Sequence, residues 1–403
     1  MNKLIVEGKI VNVDGEQDGQ ILIDQDSGLI ESVGQNLGTA DIKTPGLIFP
    51  GFVDVHVHAR EDVSGSQNYK EDFQSMSEAA INGGVVTVAD MPNNTVPPID
   101  SESYALKKTL TRSSLVDVVL YAGIRSGSIP LTTRVPYKVF LGPSIGDLFF
   151  TSLAEVEETV KNYQGQFVSF HCEDPEILQF SQNEPVHEAR RPREAEISAI
   201  KFAIMLIEKY EIQGKICHLT TREGLEMIRE AKLRGLPVTA EVTPHHLYFD
   251  DSTPLVMNPP LRAEADRLAL IGGLRDGVID YLASDHAPHT MEEKEAGAAG
   301  LPHLDTYGLF AGWLMKTYDF LPMQIAKVCS YNPGLFLSQF TVNKFGKIAA
   351  GYVGSLAILD FSLGITVQKT DLKTKVGWSP FEGVTFPGRI THTIVRGKVY
   401  GKN

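Results

Sequence analysis

Hydrophobic and polar positions follow one pattern at the two ends of the chain and another in the middle. At the ends, segments such as LIVEGKIVNV, GSLAILDF and ITHTIVRGKVYG alternate apolar with polar residues and are broken by Gly and Asp. Short alternating segments of this kind are typical of antiparallel hairpins. We therefore expect residues 1–47 and 341–403 to form one small composite β domain, built from both chain ends.

In the middle, over residues 48–340, apolar strand-like runs alternate with helix-like segments, as in βα units around a parallel sheet. Helical spacing of apolar residues predicts helices from Glu71 to Asn82 and from Glu194 to Tyr210. An open doubly wound sheet is the alternative, but no Gly-rich phosphate loop follows the first strand. The pattern predicts an α/β fold, a TIM-like (β/α)8 barrel, with the strands GVVTVADM, YKVFL, QFVSFH, KICHL, PVTAEV and IDYLASD.

The first strand of this predicted barrel lies in PGFVDVHVHAR, residues 50–60. Alternation along a strand places His56, His58 and then Arg60 on one face. Two imidazoles at positions i and i+2 can reach one metal ion without bending the backbone. The alternative is a half-buried strand whose polar face meets solvent.

Other predicted strands also end in polar or ionisable residues, among them His171, His218 and Asp285. Because the carboxyl ends of barrel strands meet at one rim, these side chains are expected to converge with His56 and His58. Four histidines and a carboxylate are enough ligands for two ions. Any single histidine of the set can instead be a buried, hydrogen-bonded core residue.

Lys138 stands inside the apolar run YKVFL, an unusual place for a charged side chain. An ammonium group is costly to bury, so this lysine should pair with an acid, reach the surface or lose its charge. A neutral amine that takes up CO₂ becomes a carbamate, whose two oxygens can bridge two ions. The alternative is a surface lysine on an edge strand.

Composition and charge narrow the partners of the chain. Of its 403 residues 42% are hydrophobic and 22% charged, and no apolar run approaches the roughly 18 residues needed to cross a bilayer. The net charge of −13 disfavours nucleic acid and acidic membranes, which require clustered Lys and Arg. The start MNKLIVEGKI lacks the pattern of a signal peptide, and Cys172, Cys217 and Cys329 lack CxxC spacing. These features predict a cytoplasmic protein whose partner is a small molecule.

A longer series of motifs runs in order through most of the chain and is highly specific as a set. By these motifs the chain resembles the dihydroorotases of the cyclic amidohydrolase superfamily, and it is most similar to the dihydroorotase domain of the animal multifunctional pyrimidine protein. The resemblance implies a hydrolase of cyclic amides that interconverts N-carbamoyl-L-aspartate and (S)-dihydroorotate in pyrimidine synthesis, with a two-metal site that activates a bridging hydroxide. The motifs are PGFVDVHVHAR, MPNNTVPPID, KVFLGPSIGDL, FHCED, CHLTTREG, GLPVTAEVTPHHLYF, MNPPLR, YLASDHAPHT and WSPFEG.

Carried over position by position, the resemblance implies two divalent ions, with zinc as the expected metal. Asp285 would both bind metal and move the catalytic proton. Cys217 and Glu241 match positions that hold an additional zinc in the animal domain, but Glu241 can equally be an outer partner of a ligand. The implied ligands are His56, His58 and Asp285 for one ion and His171 and His218 for the other, bridged by a CO₂-carboxylated Lys138.

The resemblance also implies a substrate pocket. Its lid would be the loop from Leu141 to Leu148. An alternative role for Arg60 is a structural salt bridge with Glu61 or Asp62. The implied substrate contacts are Arg60, Asn93, Asn258 and His289, with Ser144 and Ile145 in the lid.

Two segments depart from the usual family pattern. Asp-Val-Ser-Gly follows Arg60-Glu61 where Pro-Gly is usual, after an Ala59 smaller than usual, and residues 142–145 replace the commoner lid residues. Both departures bear on the shape of the substrate pocket and leave the implied ligands intact.

Other functions remain open at this point. Hydantoinases and allantoinases share the ligand pattern, and a silent scaffold for a transcarbamoylase would be expected to lose ligands that are all present here. The resemblance also allows a homodimer and an association with aspartate transcarbamoylase.

Overall fold

The structure, a computed structural model, describes residues 2–143 and 148–401. Within these ranges the chain forms an α/β barrel and a second, mostly antiparallel sheet. None of the helices in the described ranges is long and apolar enough to cross a membrane. The strands there are β1 Lys3–Asn12, β2 Gly15–Asp24, β3 Leu29–Gly34, β4 Ile42–Pro50, β5 Phe52–Val57, β6 Val85–Asp90, β7 Asp117–Leu120, β8 Ala122–Gly123, β9 Tyr137–Phe140, β10 Phe167–His171, β11 Gln213–Ile216, β12 Val238–Val242, β13 Tyr281–Leu282, β14 Leu356–Asp360, β15 Ile365–Thr366, β16 Thr385–Phe386, β17 Arg389–Val395 and β18 Lys398–Gly401.

Helices alternate with the strands of the barrel and pack around it. The longest, α6, begins and ends one residue before the predicted segment. The α-helices in the described ranges are α1 Phe73–Asn82, α2 Ser101–Leu110, α3 Leu153–Val160, α4 Pro175–Ser181, α5 His187–Arg190, α6 Arg193–Lys209, α7 Arg222–Leu233, α8 Pro244–Tyr248, α9 Glu264–Asp276, α10 Met291–Glu295, α11 Tyr307–Thr317, α12 Pro322–Ala326 and α13 Asn332–Leu337.

Strands β5 to β13 form the barrel expected from the sequence, and all of their pairings are parallel. Strands β7 and β8 are separated by Tyr121 alone and occupy one position, so the described residues supply eight strand positions. The first and last strands meet where Val57 bridges His286 and the His58 amide donates to the His286 carbonyl over 2.8 Å. The barrel is therefore closed, as catalytic (β/α)8 folds are.

Every residue of β5 and of β6 is buried. Barrel strands are covered by helices outside and by side chains inside, so both faces are removed from water. The alternative in which the polar face of PGFVDVHVHAR meets solvent is therefore wrong, because its histidines point into the barrel. Arg60 also differs from the prediction, since β5 ends at Val57 and Arg60 lies in a turn with a φ of 62°.

Two other predicted strands end earlier than their sequence suggested. Strand β11 stops at Ile216, before Cys217 and His218, and β13 covers only two residues of IDYLASD. The backbone then takes positive φ values at His218 and Asp285. In both segments the backbone therefore leaves the sheet before it reaches the ionisable side chain, His218 in one and Asp285 in the other.

Helix α1 begins two residues later than predicted, because the Asp72 side chain caps it by accepting from the Ser75 amide over 2.8 Å. Its end at Gly83 requires glycine, since a Cβ there would lie 1.9 Å from the Leu304 carbonyl oxygen. The helix is thereby packed closely against the loop that precedes α11.

The second sheet combines strands from both chain ends in the order β18-β17-β14-β4-β1-β2-β3. Its pairings are antiparallel except for β1 with β4. It joins the barrel where the Gly51 amide donates to the Ser355 carbonyl over 2.9 Å and where Arg396 pairs with Asp117 over 2.6 Å. The sheet thus packs beside the barrel, away from the rim that carries the histidines.

Candidate metal centre and active site

A cavity of about 540 Å³ opens at the carboxyl ends of the barrel strands. This volume suits a small molecule. Nine of the residues predicted from the sequence line it: His56, His58, Arg60, Asn93, His171, His218, Asn258, Asp285 and His289.

The first group of candidate ligands is His56, His58 and Asp285, contributed by the two strands that close the barrel. The Nε2 atoms of His56 and His58 lie 3.1 and 3.0 Å from the same oxygen, Asp285 Oδ1. Their ligand atoms all lie within 4.8 Å of one another, close enough to hold one ion. Three buried groups with this geometry match the N and O ligands that zinc-like ions prefer.

The second group is His171, the last residue of β10, and His218, two residues after the end of β11. His171 Nδ1 lies 2.9 Å from His218 Nε2. The other ring nitrogen of His218 is buried without a hydrogen-bond partner, which is costly for a polar atom unless a ligand satisfies it. His171 Nε2 lies 2.8 Å from Glu173 Oε2, so this ring is oriented by a carboxylate.

Lys138 lies in the middle of β9, fully buried, and not on an edge strand. Its Nζ contacts Cys217 Sγ over 2.9 Å and lies 5.0 Å from the centre of the Phe140 ring. Within residues 2–143 and 148–401, no ion pair includes Lys138. A buried lysine without an acid is the environment in which uptake of CO₂ would remove the cost of a buried ammonium.

The protonation states of these groups suit a metal centre. Burial lowers the pKa values of His56, His58 and His218 well below the ordinary histidine value, and that of His171 as well. Neutral imidazole is the form that binds metal. Burial raises the pKa of Asp285 to about 7, while Lys138 acts in the opposite direction. The donor set thus fits divalent cations, whose charge would favour the Asp285 carboxylate.

Backbone strain is concentrated at the same rim. Arg60, His218 and Asp285 have φ values of 62°, 33° and 47°, in the left-handed region that non-glycine residues rarely adopt. Such conformations cost about 1–3 kcal/mol each and persist where the surroundings enforce them. All three side chains line the cavity, so the strain coincides with the candidate chemistry.

Arg60, Asn93 and Asn258 also line the cavity, and each presents a polar atom without a partner. Arg60 Nη1, Asn93 Oδ1 and Asn258 Oδ1 are buried and unsatisfied. Burial lowers the pKa of Arg60 to about 10, so its guanidinium stays charged at neutral pH. It forms no salt bridge with Glu61 or Asp62, whose carboxylates accept the amides of Phe73 and Ser64 instead. These residues therefore offer a cation to an anionic group of a ligand and two amide oxygens that can accept from its N–H groups.

His289 is held by residues that sequence reasoning missed. Its Nδ1 lies 3.1 Å from Glu293 Oε2, and its Nε2 lies 3.1 Å from Arg60 Nη2. Lys70 pairs with the other Glu293 oxygen over 2.9 Å. Burial, with Arg60 and Lys70, lowers the pKa of His289 to about 3, so the ring is neutral. The segment YKED gave no sign of this role, because Lys70 and Glu293 lie far apart in sequence.

Three buried carboxylates position the rim and were not singled out from the sequence. Asp54 accepts the His56 and Ser284 amides over 3.0 and 3.1 Å. Asp90 accepts the Ala59 amide over 2.8 Å. Burial acts to raise the pKa of Glu173, but Arg191 and His171 lower it to about 2. The available signal was position: Asp90 lies at the end of a predicted strand and Glu173 two residues after another, whereas Asp54 in mid-strand gave none.

The structure describes one of the two segments that depart from the usual family pattern. In the segment Asp-Val-Ser-Gly, the Asp62 carboxylate accepts the Ser64 amide over 2.7 Å and the Val96 amide over 2.9 Å. The departure from Pro-Gly is therefore a side-chain-stabilised turn that ties the loop after β5 to the loop after β6. The predicted lid residues Ser144 and Ile145 lie outside the described residues.

Cys217 and Glu241 lie just below the cavity, inside the barrel. With His56 they form a third group, whose ligand atoms also lie within 4.8 Å of one another. Glu241 contacts His56 Nδ1 and also pairs with the buried Lys215. Burial acts to lower the pKa of Lys215, but Glu241 raises it well above the ordinary value.

Comparison with known proteins identifies a family profile and several relatives that match most of the chain. The sequence profile of the Amidohydrolase family matches residues 47–136 and 150–400. The dihydroorotase of Pyrococcus furiosus is 35% identical over 371 residues, which cover 88% of this chain and 81% of that protein. Those of Pyrococcus horikoshii and Halalkalibacterium halodurans are 33% and 32% identical and cover 98% and 99% of this chain and 91% and 98% of theirs. The finer similarity to the animal domain stays a prediction.

Solved structures show a similar fold. L-hydantoinase (dihydropyrimidinase) from Arthrobacter aurescens superimposes with a TM-score of 0.90 at 24% identity, covering 100% of this chain and 96% of that one. D-hydantoinase (dihydropyrimidinase) from Thermus sp. gives 0.85 at 23% identity and covers 99% of this chain and 97% of that one. At these identities the likeness concerns the fold alone.

Proposed function

The chain belongs to the dihydroorotases of the amidohydrolase family, and from this premise we propose that its rim cavity interconverts N-carbamoyl-L-aspartate and (S)-dihydroorotate at a pair of divalent ions. The reaction is a step of pyrimidine biosynthesis. The observation that carries the proposal is the composition of the cavity, where neutral imidazoles and Asp285 share the lining with a charged Arg60. A ring with an amide to hydrolyse and a carboxylate to hold fits that combination.

The residues that would hold the ions are those grouped by the geometry. His56, His58 and Asp285 would bind one, His171 and His218 the other, and a carboxylated Lys138 would supply oxygens to both. Zinc is the proposed metal, because imidazole with carboxylate oxygens suits it. When bound, such a pair lowers the pKa of water and polarises a carbonyl oxygen, so hydrolysis needs no nucleophile from the protein.

Asp285 is the proposed proton carrier of the reaction. Its Oδ1 lies at the centre of the ligand cluster, within 3.1 Å of two imidazoles. In the hydrolytic direction it would accept the proton of the attacking water and deliver it to the ring nitrogen as the amide bond breaks. In cyclisation the same carboxyl would take a proton from the ureido nitrogen and return it to the departing water.

Arg60, Asn93 and Asn258 would orient the substrate. Arg60 presents a planar fork to the carboxylate that the ring carries, and the unpartnered amide oxygens of Asn93 and Asn258 would accept from its N–H groups. A neutral His289, whose Nδ1 is held by Glu293, accepts from Arg60 Nη2 through Nε2 and would orient the guanidinium toward the substrate. The local cation explains how a chain of net charge −13 can bind an anion.

Comparison of substrates tests this function directly. The purified holoenzyme should turn over dihydroorotate, with a much lower kcat/KM for dihydrouracil, hydantoin and allantoin, since these rings leave Arg60 without its carboxylate. Steady-state rates for the four compounds at equal metal loading give the ratio. A preference for an uncharged ring would make the chain a hydantoinase-type or allantoinase-type enzyme.

Replacement of Arg60 by Met should lower kcat/KM for dihydroorotate by about 100-fold to 1,000-fold, because charge-assisted hydrogen bonds contribute ~1.5–3 kcal/mol each. Any residual turnover of dihydrouracil should change little. Arg222→Met is the control, because that side chain is 60% exposed and lies outside the cavity. Equal losses on both substrates would mean that Arg60 holds the fold of the rim and not the carboxylate.

Assembly is a separate matter from the reaction. A homodimer and an association with aspartate transcarbamoylase are proposed from family resemblance alone. Size-exclusion chromatography with light scattering tests the first, and co-purification with a transcarbamoylase the second.

A further inference from the structure

A line of buried polar groups runs down the inside of the barrel from the metal centre. Glu241 is fully buried at the centre of this line, with His56 above it and Lys215 below it. Its Oε1 contacts His56 Nδ1 and accepts the His218 amide over 3.3 Å, while its Oε2 contacts the Lys215 ammonium. Both carboxylate oxygens are therefore engaged by groups of the chain itself.

We propose that Lys215 is an internal cation that takes the place of a third metal ion, so that Glu241 positions His56 and the chain binds two divalent ions. The inference rests on the proposed metal centre and goes beyond it by assigning a role to Lys215. It also decides between the two roles that the sequence left open for Glu241.

The charge requirement of Glu241 supports this assignment. A buried carboxylate without a compensating cation is strongly unfavourable, and removal of one partner of a buried ion pair is strongly destabilising. The ligand group of His56, Cys217 and Glu241 could meet the requirement with an ion. In this chain Lys215 already meets it, and a divalent ion placed there would lie beside a fixed ammonium.

The surroundings of Lys215 hold its ammonium in this position. Its Nζ donates to the Val55 carbonyl over 3.3 Å and lies 5.4 Å from the ring centre of Tyr121 and 5.9 Å from that of Phe336. A carbonyl oxygen and two aromatic faces stabilise a desolvated cation. The lysine is 1% exposed, so it has no route to solvent that would leave Glu241 unpaired.

The consequence for the active site is a fixed tautomer of His56. With Glu241 as a carboxylate, Nδ1 carries the proton and donates it, which leaves the Nε2 lone pair free on the side of Asp285. Carboxylate partners of this kind orient ligand histidines and raise their basicity. Cys217 contacts Lys138 over 2.9 Å and is not needed as a ligand.

Metal stoichiometry tests the proposal without reference to activity. After saturation with Zn²⁺ and removal of excess, elemental analysis should give two ions per chain for the wild-type protein and for Cys217→Ser. Lys215→Met should gain a third ion, because the charge on Glu241 then lacks its partner. Lys209→Met, which removes an exposed lysine paired with Glu157, should stay at two.

Cobalt provides a second readout. A Co²⁺ ion bound by a thiolate gives a near-ultraviolet charge-transfer band, which should be absent in the wild-type protein and present in Lys215→Met.

Three ions or this band in the wild type, or two ions in a folded Lys215→Met, would overturn the proposal. If Lys215→Met does not fold, the double variant Lys215→Met, Glu241→Gln removes both charges and should bind two ions, whereas three ions in it would overturn the proposal. Fewer than two ions in the wild type would instead contradict the proposed metal centre.

Discussion

Replacement of Lys138 by Ala should lower turnover of dihydroorotate by at least about 1,000-fold, because the variant loses oxygens that both ions are proposed to share. The same variant should retain fewer than two ions per chain. The reason lies in the position of the side chain, which is fully buried between the two histidine groups without an acid to neutralise it. Removal of the amine removes the only atom on β9 that can be carboxylated there.

Chemical rescue distinguishes the loss of a ligand from damage to the fold. Acetate or propionate should restore part of the activity of Lys138→Ala, since a small carboxylate can occupy the space of the missing side chain. The measurement is turnover with elemental analysis at increasing acetate, with circular dichroism as the check on folding. Lys232→Ala, at a partly exposed surface pair with Asp280, is the control. Full activity and unchanged metal content in Lys138→Ala would remove the carbamate from the account.

Replacement of Asp285 by Asn should lower kcat about 1,000-fold to 10,000-fold in both directions, because the amide cannot accept or return the proton. Burial raises the pKa of this carboxyl to about 7, and bound cations would lower it, so the side chain would enter the hydrolytic reaction as a carboxylate. The substitution preserves shape, and KM for dihydroorotate should change much less than kcat.

The measurement for Asp285 is kcat for cyclisation and for hydrolysis at matched metal content. Asp280→Asn is a control on the same βα unit, since Asp280 precedes β13 at the other end of the barrel and pairs with Lys232 over 2.7 Å. Loss in one direction only would conflict with a single proton carrier. Retention of turnover within tenfold would assign the proton transfer to another group.

The sequence predicted the barrel and the ionisable side chains that meet at its rim, because both depend on local pattern. A buried strand that ends in His171 or His218 can be recognised from a few residues, and the closure of the barrel brings such ends together without further information. The same reasoning placed Lys138 inside a strand, and its full burial made the lysine more unusual than the sequence alone suggested.

Features that depend on backbone geometry or on distant partners could not be predicted in this way. Arg60 was expected on the face of β5, but a left-handed turn sets its direction, and no alternation rule describes such a turn. Glu293 and Lys70 reach His289 from separate loops. Lys215 was part of a predicted strand, yet its role depends on Glu241 from the next strand.

We propose that two divalent ions in the rim cavity make this chain a dihydroorotase, and a metal titration of the metal-free protein examines that requirement. Cyclisation of N-carbamoyl-L-aspartate is measured while Zn²⁺ is added in known amounts to protein depleted by a chelator in the presence of bicarbonate. We expect no activity at the start and a rise that saturates at two ions per chain. Full activity without metal, or two bound ions with no cyclisation of carbamoyl aspartate, would contradict it.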